Sequence, residues 1–207
     1  EGEYVQKDIN KAIYYYTLAA NQNNPIAMNK LGIMYAQYCA HPDIKKAIHY
    51  LTLSAKQNHI SAQENLGYLF YFVEFIPKDV DKAIHYLELA AKQNSVRAQR
   101  FLGYIFYKSS YVPRDLDRSF YWFERAAKNN DIISQFYLGM IYLDEKYKNR
   151  NINKSINHLT IAANSSYKNA QGVLGVIYFE GKYIERDINK AIYYLTLSAN
   201  GNNGTSQ

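Results

Sequence analysis

A period of 36 residues constrains this chain more than any other feature. The string Asp8-Ile9-Asn10-Lys11-Ala12-Ile13 returns as Asp43 to Ile48, Asp79 to Ile84, Asp115 to Phe120, Asn151 to Ile156 and Asp187 to Ile192. The starts are spaced by 35 residues once and by 36 thereafter. A second marker, Leu-Gly, stands at Leu31-Gly32, Leu66-Gly67, Leu102-Gly103, Leu138-Gly139 and Leu174-Gly175 with the same single offset. Two independent markers sharing one indel exclude chance repetition. A period of this length is that of stacked supersecondary units.

Each unit predicts two helices. Ala27, Leu31, Gly32 and Tyr35 fall on one helical stripe, repeated as Ala62/Leu66/Gly67/Phe70 and Ala98/Leu102/Gly103/Phe106. Glycine costs ~1 kcal/mol inside a helix, so five at one register imply close approach of two helix backbones. The second helix opens on Asp at the N-cap, with Asn151 in one copy, where the side chain accepts backbone N–H bonds. It closes at Asn23, Asn58, Asn94, Asn130, Ser166 and Asn202. Asn tolerates the left-handed conformation that ends helices, so part of the count of 20 Asn is architectural. Neither helix can bury its apolar face alone, whereas stacked pairs can. The expected fold is all-α, a right-handed α–α superhelix (solenoid) of antiparallel helix pairs with a 36-residue repeat. The expected divisions are 1–24, 25–59, 60–95, 96–131, 132–167, 168–203 and 204–207, in one continuous array.

The wording Ala-x-x-x-Leu-Gly-x-x-Tyr, then Asp-x-x-Lys-Ala-x-x-Tyr-Tyr-x-x-Ala-Ala, resembles the Sel-one-like repeat (SLR), a relative of the tetratricopeptide repeat. Asp115, Arg118, Tyr121, Trp122, Phe123, Ala126 and Ala127 carry it most fully. The resemblance covers nearly the whole chain. Where such repeats carry Gly between the helices, as Glu180-Gly181 does, this chain also has Tyr38, Val73, Ser109 and Glu145, which predicts reshaped loops. The resemblance implies a non-catalytic adaptor that binds a protein or peptide, without a cofactor. It also leaves room for a regulatory or targeting arm of a larger enzyme, for example a protein kinase. The cysteine-rich subtype is excluded, because Cys39 is the single cysteine. Glu1-Gly2 aligns with Glu180-Gly181, and Gln207 continues the column Gln63, Gln99, Gln135, Gln171. A window cut from a longer array is the expectation, with self-association through repeat ends as one consequence.

Binding belongs where units differ. By analogy with tetratricopeptide geometry, the first helices line a concave face. There Glu64, Tyr68, Tyr71 and Phe72 meet Arg97, Arg100, Tyr104, Tyr107 and Lys108. Tyr and Arg are enriched at interface hot spots, and an aromatic groove with a basic flank suits an acidic peptide. Inter-repeat packing is the alternative reading of the same tyrosines. The apolar segment Tyr68 to Val73 with Phe75-Ile76 reads either as a buried helix end or as an exposed patch.

The net charge of +6 raises nucleic acid as a partner. Lys11, Lys46, Lys82, Arg118, Lys154 and Lys190 share one register, however, so most of that charge is a scaffold column. No nucleic-acid motif accompanies it. His49 and His85 occupy a surface column, and His158 replaces an aromatic. Neither these nor Cys39 beside His41 forms a metal or nucleophile constellation. No apolar run approaches the ~18 residues of a membrane helix, and no leader opens the chain, so a cytoplasmic location is expected. Three Asn-x-Ser/Thr triplets, at Asn153, Asn164 and Asn203, arise readily in an Asn-rich chain.

Overall fold

The structure is a computed structural model that describes residues 8–37, 42–72 and 78–200. Tyr38, Cys39, His41, Val73, Phe75, Ile76, Glu1-Gly2, Asn202, Asn203 and Gln207 lie outside the described residues. Among the described residues there are helices and no strands: α1 (Ile9–Asn21), α2 (Pro25–Gln37), α3 (Ile44–Lys56), α4 (Ile60–Phe72), α5 (Val80–Lys92), α6 (Val96–Lys108), α7 (Leu116–Ala127), α8 (Ile132–Leu143), α9 (Ile152–Asn164), α10 (Lys168–Glu180) and α11 (Ile188–Asn200). The chain divides into two compact units, Glu1–Ala98 and Gln99–Gln207.

Every second helix starts as its sequence dictates. Asp8, Asp43, Asp79, Asp115, Asn151 and Asp187 each accept a hydrogen bond from the backbone N–H three residues on, at 2.9–3.0 Å. The ends follow as well. Asn23, Asn58, Asn94, Asn130 and Ser166 all have φ between 59° and 64°. Of the loops expected to be reshaped, Ser109 and Glu145 avoid the left-handed region that Gly181 adopts at φ 63°. At Asp144 the chain instead leaves α8 in an extended conformation.

Packing follows the repeat inside each unit. In the first, α1 packs on α2, α2 on α3, α3 on α4 and α4 on α5, with α2 also reaching α4. Leu31, Leu51, Leu66 and Leu87 are essentially inaccessible there. In the second, α7 packs on α8, α8 on α9, α9 on α10 and α10 on α11. Its core holds Leu102, Ile105, Phe106, Phe123, Leu138, Ile141, Leu159 and Leu174. Each such side chain contributes ~1.5–3 kcal/mol by leaving water.

The Leu-Gly glycines are explained by what faces them. A Cβ on Gly139 would sit 2.6 Å from Leu159 Cγ, and one on Gly103 would sit 2.7 Å from the Phe123 ring. The glycine admits a branched or aromatic side chain of the second helix, so the contact is glycine against side chain as well as backbone against backbone. In two repeats a serine reinforces it: Ser119 and Ser155 hydroxyls donate to the Gly103 and Gly139 carbonyls at 2.9 and 2.8 Å. The glutamine column ties one repeat to the next. Gln63, Gln135 and Gln171 amides donate to the carbonyls of Ala55, Ala127 and Ala163 at 3.1–3.4 Å. Those carbonyls lie in the last turns of the preceding helices, where each also accepts from the N–H of the helix-closing residue, Asn58, Asn130 or Ser166, at 2.9–3.0 Å.

Candidate interaction surfaces

The nine residues expected to line a binding face are divided between the units. Glu64, Tyr68, Tyr71, Phe72 and Arg97 belong to the first, and Arg100, Tyr104, Tyr107 and Lys108 to the second.

One column of this set serves contact between repeats. Residue 64 is met 31 positions on by Ser95, whose hydroxyl donates to the Glu64 carboxylate. Arg100 is met by Asp131, with Nη1 2.7 Å from Oδ2. Phe136 is met by Tyr167, with ring centroids 5.2 Å apart. Ser95 and Asp131 also cap the first helices, accepting from the N–H groups of Ala98 and Ser134. The partner therefore changes with the column residue: hydroxyl to carboxylate, carboxylate to guanidinium, ring to ring. Unit-specific variation at this register is matched by unit-specific variation in the next repeat. No marker within a single repeat reveals this, but comparison of positions 64, 100 and 136 with 95, 131 and 167 would have.

In the first unit, α2 and α4 flank a groove of ≈ 220 Å³ lined by Ile33, Ala36, Asn65, Tyr68, Phe72 and Arg97. The Arg97 guanidinium lies 4.3 Å from the Tyr68 ring centroid and 3.7 Å from Glu64. Asn65 donates to Asn29 at 3.0 Å. Tyr71 is buried and Phe72 is 54% exposed, so the apolar end of α4 has both a packed and a presented side.

The second unit holds a larger cleft of ≈ 630 Å³, formed by α6, α8 and the start of α10. Its walls are Tyr107, Lys108, Phe136, Tyr137, Met140 and Asn169. A neighbouring cleft of ≈ 390 Å³ shares Tyr107, Arg114 and Met140 and adds Asp144, Glu145 and Lys146. Tyr137 is the centre of the aromatic wall, 5.2 Å from Tyr107, 6.1 Å from Tyr104 and stacked on Phe123 at 4.8 Å. Burial, with the neighbouring tyrosines, pushes its hydroxyl up to about 12. Burial also raises Tyr107. Both therefore stay neutral at physiological pH. Arg114 lies 4.8 Å over Tyr107, and its Nη2 is 2.7 Å from Asp144. Its Nε donates to the Tyr107 carbonyl at 3.2 Å, closing α6 as Arg150 closes α8 through Leu143 at 3.3 Å. Sequence reasoning missed these arginines. Their signal is Arg114, Arg150 and Arg186, spaced by 36 and each directly preceding an N-cap.

The scaffold lysine column is committed to rings of the preceding helix. Lys46 lies over Tyr35, Lys82 over Phe70, Arg118 over Phe106, Lys154 over Tyr142 and Lys190 over Tyr178, at 3.8–5.5 Å from the centroids. His158 stacks on Tyr142, and its Nδ1 is 2.7 Å from Gln135. Burial and Lys154 lower its pKa. Among the described residues no group of three His, Cys, Asp or Glu could hold a metal ion, and no helix is long and apolar enough to cross a membrane.

Comparison with known proteins follows the same period. The profile of the Sel1 repeat matches residues 1–24, 25–59, 60–95, 96–131, 132–167 and 169–203. No curated protein is significantly similar in sequence. Among solved structures, a protective antigen of uropathogenic Escherichia coli with an SLR fold superposes with a TM-score of 0.85 at 26% identity, over 98% of this chain and 44% of that one. This chain thus spans less than half of that antigen's length. A Sel1 repeat protein of Oxalobacter formigenes gives a TM-score of 0.76 at 27% identity, over 97% of this chain and 82% of that one.

Proposed function

Because the chain belongs to the Sel1 repeat family, whose members are typically non-catalytic helical scaffolds for protein–protein interaction, we propose that it is a protein-binding module holding a peptide segment of its partner in the cleft between α6 and α8. The observation that supports this reading is that cleft. At ≈ 630 Å³ it lies within the ~300–1,000 Å³ range of ligand sites. It combines an apolar wall of Phe136, Tyr137 and Met140 with polar groups at its rim, Ser109, Asn169 and Lys108. Aromatic wall and polar rim are the anatomy of a protein-binding hot spot.

Selection from a random-peptide display library tests the reading. Wild-type protein enriches a family of related peptides. Met140→Trp, which sets a bulkier neutral side chain on the apolar wall of the cleft, abolishes the enrichment while leaving the far-UV circular dichroism unchanged. Failure of the wild type to enrich any family, or equal enrichment by a folded Met140→Trp variant, overturns the assignment.

A further inference from the structure

We infer that the cleft between α6 and α8 selects an acidic peptide segment that carries a large apolar side chain, aromatic in the best case. The inference rests on the protein-binding reading above and adds the chemistry of the partner. Phe136, Tyr137 and Met140 receive the apolar side chain, and Lys108 receives a carboxylate next to it.

The sign of the charge comes from which lining groups are already satisfied. Two acids and three cations line the two adjoining clefts: Asp144, Glu145, Lys108, Arg114 and Lys146. Both oxygens of Asp144 are occupied, Oδ2 by Arg114 at 2.7 Å and Oδ1 by the Lys146 backbone N–H at 2.8 Å. Burial alone would raise Asp144, but these donors hold it below the usual carboxylate range, so it stays ionised and paired. Glu145 faces Lys182 at 3.5 Å in an exposed pair. Lys108 and Lys146 take part in no ion pair among the described residues, and Lys108 is exposed at the end of α6. A cationic ligand would therefore meet a neutralised Asp144 and the exposed Lys108, whereas a carboxylate meets that lysine directly. The apolar requirement comes from geometry. One side of Tyr107 is taken by Arg114 and Phe136 is largely buried beneath the wall, so the accessible hydrophobic surface of the cleft is chiefly that of Tyr137 and Met140.

Fluorescence anisotropy with three labelled peptides of equal length tests this, alternating Glu/Phe, Lys/Phe and Glu/Ala. The Glu/Phe peptide is expected to bind at least tenfold more tightly than either other. Lys108→Glu is expected to weaken it by about tenfold and Met140→Trp to abolish it, with binding falling as salt rises. Equal or tighter binding of Lys/Phe, or an unchanged Glu/Phe affinity in Lys108→Glu, overturns the inference. So does a display selection that enriches peptides without acidic residues, although that outcome leaves the protein-binding reading standing. A selection that enriches nothing defeats that reading itself.

Discussion

Replacing Gly139 by alanine sets a methyl carbon 2.6 Å from Leu159 Cγ, 3.0 Å from its Cδ2 and 3.2 Å from its backbone nitrogen. Carbon atoms attract at ~3.5–4.0 Å, so the new atom overlaps its neighbour by about 1 Å. Leu159 is fully buried, and close-packed interiors leave a branched side chain little room to turn. The nitrogen cannot be moved by a rotamer change, so α9 as a whole must shift. Overpacking of this kind costs ~1–3 kcal/mol, and a clash that includes backbone belongs at the upper end. Alanine recovers ~1 kcal/mol of helix propensity. The net effect is a loss of about 2 kcal/mol, or roughly 4–8 °C of Tm for a chain of this size. Gly172 is the control, since a Cβ there meets only Ser198 Oγ at 3.4 Å. Gly172→Ala should keep the propensity gain and raise Tm by about 2–4 °C. Thermal unfolding followed by far-UV circular dichroism measures both. Leu159→Ala added to Gly139→Ala should destabilise by at least ~1 kcal/mol less than the sum of the two single losses. A Gly139→Ala variant as stable as wild type, or additive behaviour in that cycle, refutes the steric account of the repeated glycine.

Three further outcomes are expected. Ser166→Asn places the residue type of the five other copies at a φ of 61° and should stabilise by roughly 0.5 kcal/mol in urea unfolding, because Asn enters the left-handed region at lower cost. Three N-cap carboxylates titrate below their ordinary range, Asp43 and Asp187 chiefly through the backbone N–H of Lys46 and Lys190 and Asp79 chiefly through the Lys82 side chain. Groups with depressed folded pKa stabilise above their unfolded value of ~3.9 and lose that contribution as pH falls through the folded one. Wild-type Tm should therefore drop between pH 5 and pH 3, and the triple variant Asp43→Asn, Asp79→Asn, Asp187→Asn should drop less, since Asn caps as Asn151 does. A double-mutant cycle on Arg100 and Asp131, whose side chains are 33% and 9% exposed, should show ~1 kcal/mol of coupling in urea unfolding. Coupling near zero would mean that the pair does not fasten the two repeats.

Much of the fold was legible because its causes are local. An Asp or Asn accepting from the N–H three residues on needs only its own turn, and so does an Asn closing a helix in the left-handed conformation. The lysine column was read as scaffold from its shared register, but the rings of the preceding helices beneath Lys46, Lys82, Arg118, Lys154 and Lys190 lie across the hairpin. The candidate site was less legible. Tyr107 and Lys108 line the larger cleft, yet Phe136, Tyr137 and Met140, which form its apolar wall, were not among the nine residues expected to bind. Glu64 and Arg100 stood out because they differ between units, and difference was taken as the mark of binding.

The sequence by itself determined the period, the helix starts and stops, and the glycine that lets each hairpin close. These rest on interactions within a turn or on the one residue type without a Cβ, which fits against its neighbour without a clash. Tertiary structure decided which variable positions face water and which face the next repeat. Arg100 has a purpose only once Asp131 is set opposite it, and Tyr137 becomes a wall only when Tyr104, Tyr107 and Phe123 gather around it. Neither fact is carried by one helix, because each depends on what the following helix brings to the same point in space.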